Sequence, residues 1–262
     1  MKPSNPSRPR SRFGEACVVC TKQITPHMIR VTFRSEMTKL FPENIAGAHL
    51  KLVMPHPDEV DLPDTSAKDF KTRMRTYTLR EVRPSEGAFD VDFVVHGDVG
   101  IAGPWAARAK PGDLIAISQP GAPKLVTSNA DWFLIAADMS AIPAAAAGLA
   151  TLEDSAIGDA FFEILSEEDR QSVRAPAGIN VHWIVKTEAE ARSEALIDAV
   201  RHSPWRLGEP SVFVAGEFSM VGELRRYFVK ERRTQKQLTY ISSYWKLGLN
   251  EPGHRVAKDM AA

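Results

Sequence analysis

Short apolar runs separated by polar breaks dominate the first half of the chain. Cys17–Thr21, Met28–Arg34, His49–Met54, Thr76–Val82, Phe89–His96 and Leu114–Ser118 are rich in Val, Ile, Phe, Tyr and Thr. Pro, Gly, Asn and Asp lie between them, so each run predicts a strand. In the clearest, Phe89, Val91, Phe93 and Val95 alternate with Asp90, Asp92 and His96, the period-two pattern of a half-buried strand. Six such strands predict an antiparallel β-barrel. Pro55 to Thr72 is a polar loop, and Pro104 to Ala109 predicts a short helix stopped by Pro111-Gly112.

The rhythm changes near Gly121 to Asp131. Trp132–Ala136, Ala160–Leu165, Val181–Val185, Ser211–Ala215 and Leu238–Ser243 read as strands, with helical runs at Ile142–Leu152, Glu188–His202 and Met220–Glu231 between several of them. Alternating β and α predicts a mostly parallel sheet covered by helices. The expected organisation is a disordered arm over 1–14, a six-stranded barrel over 15–122, an α/β domain over 130–248 and a tail over 249–262 that includes a short helix.

Composition narrows the classes of function. The 262 residues are 44% apolar and 25% charged, and 33 basic residues balance 33 acidic ones. A neutral chain has no overall field for nucleic acid. No apolar run approaches a membrane span. Met1 to Arg12 is rich in Pro, Ser and Arg with no apolar segment after it, unlike a secretory signal, so a cytoplasmic protein is expected. The two cysteines, Cys17 and Cys20, are too few for a disulfide framework, and no second Cys or His pair completes a metal site.

Two segments carry candidate chemistry. Arg75-Thr76-Tyr77-Thr78 opens a strand with a cation, a ring and hydroxyls; alternation puts Arg75 and Tyr77 on one side and Thr76 and Thr78 on the other. Such groups suit a flavin, although the same four residues also make a plain strand. His96 to Trp105 leaves a strand through Gly97, Gly100 and Gly103 and enters a helix, where free N–H groups can face a phosphate or simply make a tight turn.

With Arg75-Thr76-Tyr77-Thr78, Asp92-Phe93-Val94-Val95-His96-Gly97, Trp105-Ala106 with Pro111-Gly112-Asp113, Ala215-Gly216-Glu217 and Tyr244-Trp245 in this order, the chain resembles the siderophore-interacting proteins. These are FAD-dependent ferric-siderophore reductases related to ferredoxin reductases. The resemblance runs from about Cys17 to Gly248. It implies that Arg75, Thr76, Tyr77 and Thr78 bind the flavin. It also implies that Asp92, His96 and Gly97 contact the ribityl or adenosine part of FAD, and that Ala102, Gly103 and Trp105 form the pyrophosphate turn. The family often has Ser where this chain has Gly103.

The second domain lacks the three glycines of a dinucleotide fingerprint: after Trp132–Ala136 comes Ala137-Asp138-Met139-Ser140-Ala141-Ile142-Pro143, with Ser140 as the expected helix cap. Asp138 is a candidate for a ribose hydroxyl or the FAD. Ala215-Gly216-Glu217, before a helix from Ser219, stands where the family's nicotinamide pocket is, and Tyr244 and Trp245 either cover the flavin, line the pocket or pack as core aromatics.

Lys51 matches a family position facing the acceptor, with Lys246 and Lys124 as further cations for an anionic ferric siderophore. The basic run Arg225-Arg226, Lys230, Arg232-Arg233 and Lys236 either faces water or docks an acidic ferredoxin. The expected activity is electron transfer from NADH, NADPH or ferredoxin through FAD to Fe(III)-siderophore, with no catalytic side chain and no protein metal site. A general flavin or ferredoxin reductase and a ferric-chelate carrier without turnover are the alternatives.

Overall fold

A computed structural model describes residues 13–56, 61–67, 69–95, 100–123, 129–186 and 193–260. Of the arm expected over 1–14, residues 1–12 lie outside the described residues, whereas Phe13 and Gly14 already belong to the first strand; His96, Gly97, Lys124 and the start of the expected helix Glu188–His202 also lie outside the described residues.

The first half is one antiparallel sheet of seven strands. They are β1 (Phe13–Thr25), β2 (Met28–Arg34), β3 (His49–Val53), β4 (Met74–Thr78), β5 (Glu81–Arg83), β6 (Ala88–Val94) and β7 (Leu114–Ser118). Their order is β4-β3-β7-β1-β2-β6-β5. The predicted single strand Thr76–Val82 is two strands, because the chain turns sheet edge at Leu79-Arg80. That leaves seven strands where six were expected. No ladder joins β4 to β5 among the described residues, so the barrel is not closed by hydrogen bonds. Side chains close the gap instead: Tyr77 of β4 lies 4.3 Å from Phe93 of β6, ring to ring. A short helix α1 (Phe70–Arg73) precedes β4, and α2 (Ala102–Arg108) plugs one barrel end. The indole of Trp105 in α2 stacks on Phe33 at 6.1 Å and leans on Phe93 at 5.7 Å, which fixes α2 to the core.

Strand β6 departs from the half-buried pattern. Both of its faces are buried, Asp90 and Asp92 included. Arginines cover those carboxylates. Arg83 of β5 grips Asp90 with two bonds of 3.0 and 2.7 Å, and Arg30 of β2 grips Asp92 at 2.7 and 2.9 Å. A fork-on-carboxylate pair satisfies a charge that burial would otherwise penalise.

The second half is a five-stranded parallel sheet: β8 (Trp132–Ala137), β9 (Ile157–Ile164), β10 (Gly178–Val185), β11 (Pro210–Glu217) and β12 (Thr239–Trp245), in the order β10-β9-β8-β11-β12. The central strands β8 and β11 are buried along their whole length, as expected for a sheet with helices on both faces. The helices are α3 (Ile142–Leu149), α4 (Glu194–His202) and α5 (Phe218–Arg225). All of α3 is buried, because it is wedged between its own sheet and the barrel. Met28, Ile24 and Val94 of the barrel pack into the same apolar cluster as Phe133, Ile142 and Phe162. The predicted helix Met220–Glu231 is α5 followed by a wider π-helical turn over Arg226–Glu231, in which Arg232 N–H reaches back to Tyr227. The tail forms a longer helix than expected, α6 (Glu251–Met260), set off by Gly248 at φ +78°.

One carboxylate bolts the two halves together. Asp169, in the turn after β9, has no exposed surface. It accepts from Thr25 Oγ1 (2.8 Å), His27 N–H (3.0 Å) and His27 Nδ1 (2.7 Å) on the β1–β2 turn, and from Ser166 on its own side.

Candidate functional site

The site gathers where β3 and β4 meet α6 and the carboxyl ends of β8, β11 and β12. In the β3–β4 ladder Lys51 stands directly opposite Thr76, and Leu52 opposite Arg75. Arg75 is half-buried; its Nη1 donates to Thr72 O (2.7 Å) and Met74 O (2.8 Å). Nε and Nη2 make no other hydrogen bond among the described residues. Desolvation pulls its pKa down, partly offset by nearby Glu251. The Tyr77 hydroxyl is pushed well above its ordinary pKa by burial, so it stays protonated at any working pH. Thr78 is buried and Thr76 exposed. The ladder is unbroken, so the expected alternation holds: Tyr77 packs on the barrel core with Leu50 and Leu52, and the two threonines share the other face, Thr76 open to solvent and Thr78 covered.

Asp92 holds Arg30 and lies 3.9 Å from Arg80, two residues beyond Thr78. With both oxygens turned to arginines, it would act on a cofactor through Arg30 and Arg80. Those two arginines were missed in the sequence. Ala102 and Gly103 open α2. A Cβ at Gly103 would stand 3.0 Å from Val94 O, so the serine common in the family would press on that carbonyl here.

In the α/β half, Asp138 is a buried hub. Oδ1 accepts from Ser140 N–H (2.9 Å) and hydroxyl (2.6 Å), and Oδ2 from Glu217 N–H (2.8 Å) and Trp245 Nε1 (2.7 Å). Burial raises its pKa despite these bonds. Ser140 is thus a donor to Asp138, and Ala141 takes the cap position of α3. Glu217 caps α5: its carboxylate accepts from Ser219 N–H (2.5 Å) and Met220 N–H (3.3 Å). Gly216, at φ +144°, lies against Asp138; a Cβ there would come within 2.6 Å of that carboxylate. Trp245 is held by its indole N–H with 37% of its surface open. Lys246 caps the ring of Phe218 at 4.3 Å.

The basic run lies away from this group. Helix α5 starts at the site and runs from it, so Arg225 onward sits at the opposite end. Arg225 bonds Ile241 O, Arg226 pairs with Glu223, and Arg232 stacks on Trp205 at 4.5 Å. Among the described residues no cluster of His, Cys, Asp and Glu suits a metal ion, and no helix is long and apolar enough to cross a membrane.

The donor set fits FAD: a cation with N–H groups unpaired among the described residues, a rim hydroxyl, a half-buried ring and a helix start whose glycine lets the backbone come close. Residues 17–124 match the model of the siderophore-interacting FAD-binding domain, and 130–248 that of the siderophore-interacting protein. The ferric vibriobactin reductase ViuB of Vibrio cholerae is 32% identical, with 89% of each chain covered. The NADPH-dependent ferric-chelate reductase of Escherichia coli is 27% identical over 93% of this chain and 97% of its own. The siderophore-interacting protein SipS of Aeromonas hydrophila superposes with a TM-score of 0.81 at 28% identity, covering 95% and 98%. A ferredoxin reductase of carbazole 1,9a-dioxygenase shares the fold alone, at 14% identity and TM-score 0.66 over 89% and 69%. The chain belongs to the siderophore-interacting protein family, with an FAD-binding barrel and a ferredoxin-reductase-like α/β partner.

Proposed function

We propose that the protein is a ferric-siderophore reductase that takes electrons from a reduced donor and delivers them singly to Fe(III) in a bound siderophore, which releases Fe(II). The observation that carries this reading is the β3–β4 pairing, which sets the Lys51 ammonium opposite Thr76 in the flavin motif. A cation at that edge suits an anionic acceptor next to the cofactor. FAD, when bound, supplies the conversion between a two-electron donor and a one-electron acceptor. The chain does the rest. Arg75 would take a phosphate, Tyr77 and Thr78 would fix the isoalloxazine, and Asp92 aligns Arg30 and Arg80. Trp245, oriented by Asp138, would cover the ring. Lys51 and Lys246 draw the acceptor in, and Lys124 belongs to the same reading. Iron is cargo: Fe(II), the softer ion, is a poorer match for hard oxygen ligands and leaves.

The donor is NADPH or NADH in this reading. Ferredoxin docking on the run from Arg225 to Lys236 is less well supported, because that run lies at the end of α5 away from the site and three of its arginines are spent on internal partners. A cytoplasmic setting accords with two free cysteines and a reducing reaction.

The test is anaerobic flavin reduction with NADH, NADPH or ferredoxin, followed by mixing with ferric catecholate and hydroxamate chelates, in the wild type and in an Arg75→Ala/Thr78→Ala double variant. The variant is expected to lose FAD and iron reduction together. A double variant with full cofactor content and unchanged iron reduction refutes the assignment.

A further inference from the structure

Helix α6 belongs to neither family segment, yet it reaches into the site. Its first residue, Glu251, spans about 200 positions of sequence to the barrel rim. Thr76 N–H donates to Oε2 (2.8 Å), the Thr76 hydroxyl to Oε1 (2.6 Å), and Lys51 Nζ to Oε1 (2.5 Å). Lys51 also donates to the Thr76 hydroxyl oxygen, so the hydroxyl passes its own proton forward to the carboxylate. Three donors thus converge on two oxygens of one planar anion. This is the arrangement that a carboxylate or catecholate arm of a siderophore would seek.

The rest of α6 is held elsewhere. His254 bonds Ser243 (2.9 Å), and Lys258 bonds the Ser242 hydroxyl (2.7 Å) and Ser243 O (3.0 Å), all on β12. The link from β12 turns at Gly248, beside which an added Cβ would meet nothing within 4 Å. The helix therefore has one firm end on the α/β sheet and one carboxylate on the barrel, with an open turn before it.

From this geometry we infer that Thr76 and Lys51 form an anion subsite for the acceptor, and that Glu251 is its built-in occupant, which an anionic chelate must displace. The inference rests on the acceptor side proposed above and adds who holds the subsite when the acceptor is away. It makes Glu251 a specificity residue: the internal carboxylate competes with charged ligands and not with neutral ones. If the subsite is closed in about nine molecules of ten, freeing it tightens binding about tenfold.

Redox-inert gallium(III) separates binding from turnover. Calorimetry would compare a gallium(III) tricatecholate with a neutral gallium(III) trihydroxamate, on FAD-loaded wild type, Glu251→Gln, Lys51→Ala and Lys258→Ala. Glu251→Gln is expected to bind the tricatecholate about tenfold more tightly and to raise the ratio of anionic to neutral affinity by the same factor. Lys258→Ala loosens α6 without touching the subsite and is expected to move the ratio in the same direction, which keeps the test alive if Glu251→Gln fails to fold. Lys51→Ala is expected to weaken the tricatecholate. An unchanged ratio in both Glu251→Gln and Lys258→Ala overturns the inference. So does an equal gain for both probes, which would make α6 a steric cover only. Because gallium is not reduced, either failure leaves the reductase reading to stand or fall on the ferric assay.

Discussion

Replacing Asp169 by Ala tests whether the two halves are bolted at this one carboxylate. The substitution removes the acceptor for the His27 and Ser166 N–H groups, the hydroxyls of Thr25 and Ser166, and the His27 ring. Two backbone donors and a buried hydroxyl are then left without a partner, at about 1–3 kcal/mol each, so a total of about 3–5 kcal/mol is expected. For a chain of this size that corresponds to a fall in Tm on the order of 10 °C. Asp169→Asn keeps one accepting oxygen for the barrel side and turns an NH2 toward Ser166, so an intermediate loss is expected. Burial alone would raise the Asp169 pKa, but the bonds from Thr25 and His27 outweigh it and hold it below the usual carboxylate range. The folded pKa is therefore the depressed one. Its contribution is fully present above the unfolded value of about 3.9 and is lost as pH falls through the folded value. The difference between wild type and Asp169→Ala should be constant above about pH 5 and shrink below about pH 4. Thermal unfolding followed by circular dichroism and by release of flavin fluorescence, from pH 3 to 8, measures both effects. A Tm loss under about 3 °C at pH 7, or a loss independent of pH down to 3, would refute the bolt.

Two further outcomes follow from close contacts. Gly158 sits at φ +155° with Phe133 O only 2.0 Å from where a Cβ would be, so Gly158→Ala should force β8 and β9 apart and abolish soluble expression; a variant purified with near wild-type Tm refutes this. Asp92→Asn leaves the Arg30 fork half-paired, and after solvent screening a loss of about 2–3 kcal/mol is expected in urea unfolding at unchanged m-value, with weaker FAD retention; a shift below about 0.5 kcal/mol with full FAD content would deny Asp92 that role.

Much of the architecture was legible because hydrophobic period and turn residues are local signals. The run Phe89 to Val94, the glycine-rich exit into α2 and the uninterrupted apolar strands β8 and β11 all announce themselves over fewer than ten residues. What escaped was long-range pairing. Asp90 and Asp92 read as a solvent face because nothing nearby shows that Arg83 and Arg30 will cover them. Ser140 read as a cap because a hydroxyl before a helix usually is one, whereas the charge of Asp138, two residues earlier, takes both its N–H and its hydroxyl and Ala141 is left in the cap position. Glu251, Asp169 and Arg80 carry no motif at all; only the meeting of distant segments gives them partners. At the site, the sequence pointed to Lys51 and the flavin strand through family resemblance, but the carboxylate that holds Lys51 came from a tail whose role was left open.

The hub at Asp138 has an evolutionary corollary. One acid ties the ends of three strands: its own β8, β11 through Glu217 N–H and β12 through the indole of Trp245. A lineage that replaced the indole by a ring without N–H would take one of four donors from a sealed-in carboxylate, and one that replaced the acid by an apolar residue would strand the indole. Positions 138 and 245 should therefore drift in step, and a swap at one without the other marks a relative whose aromatic cover is built differently.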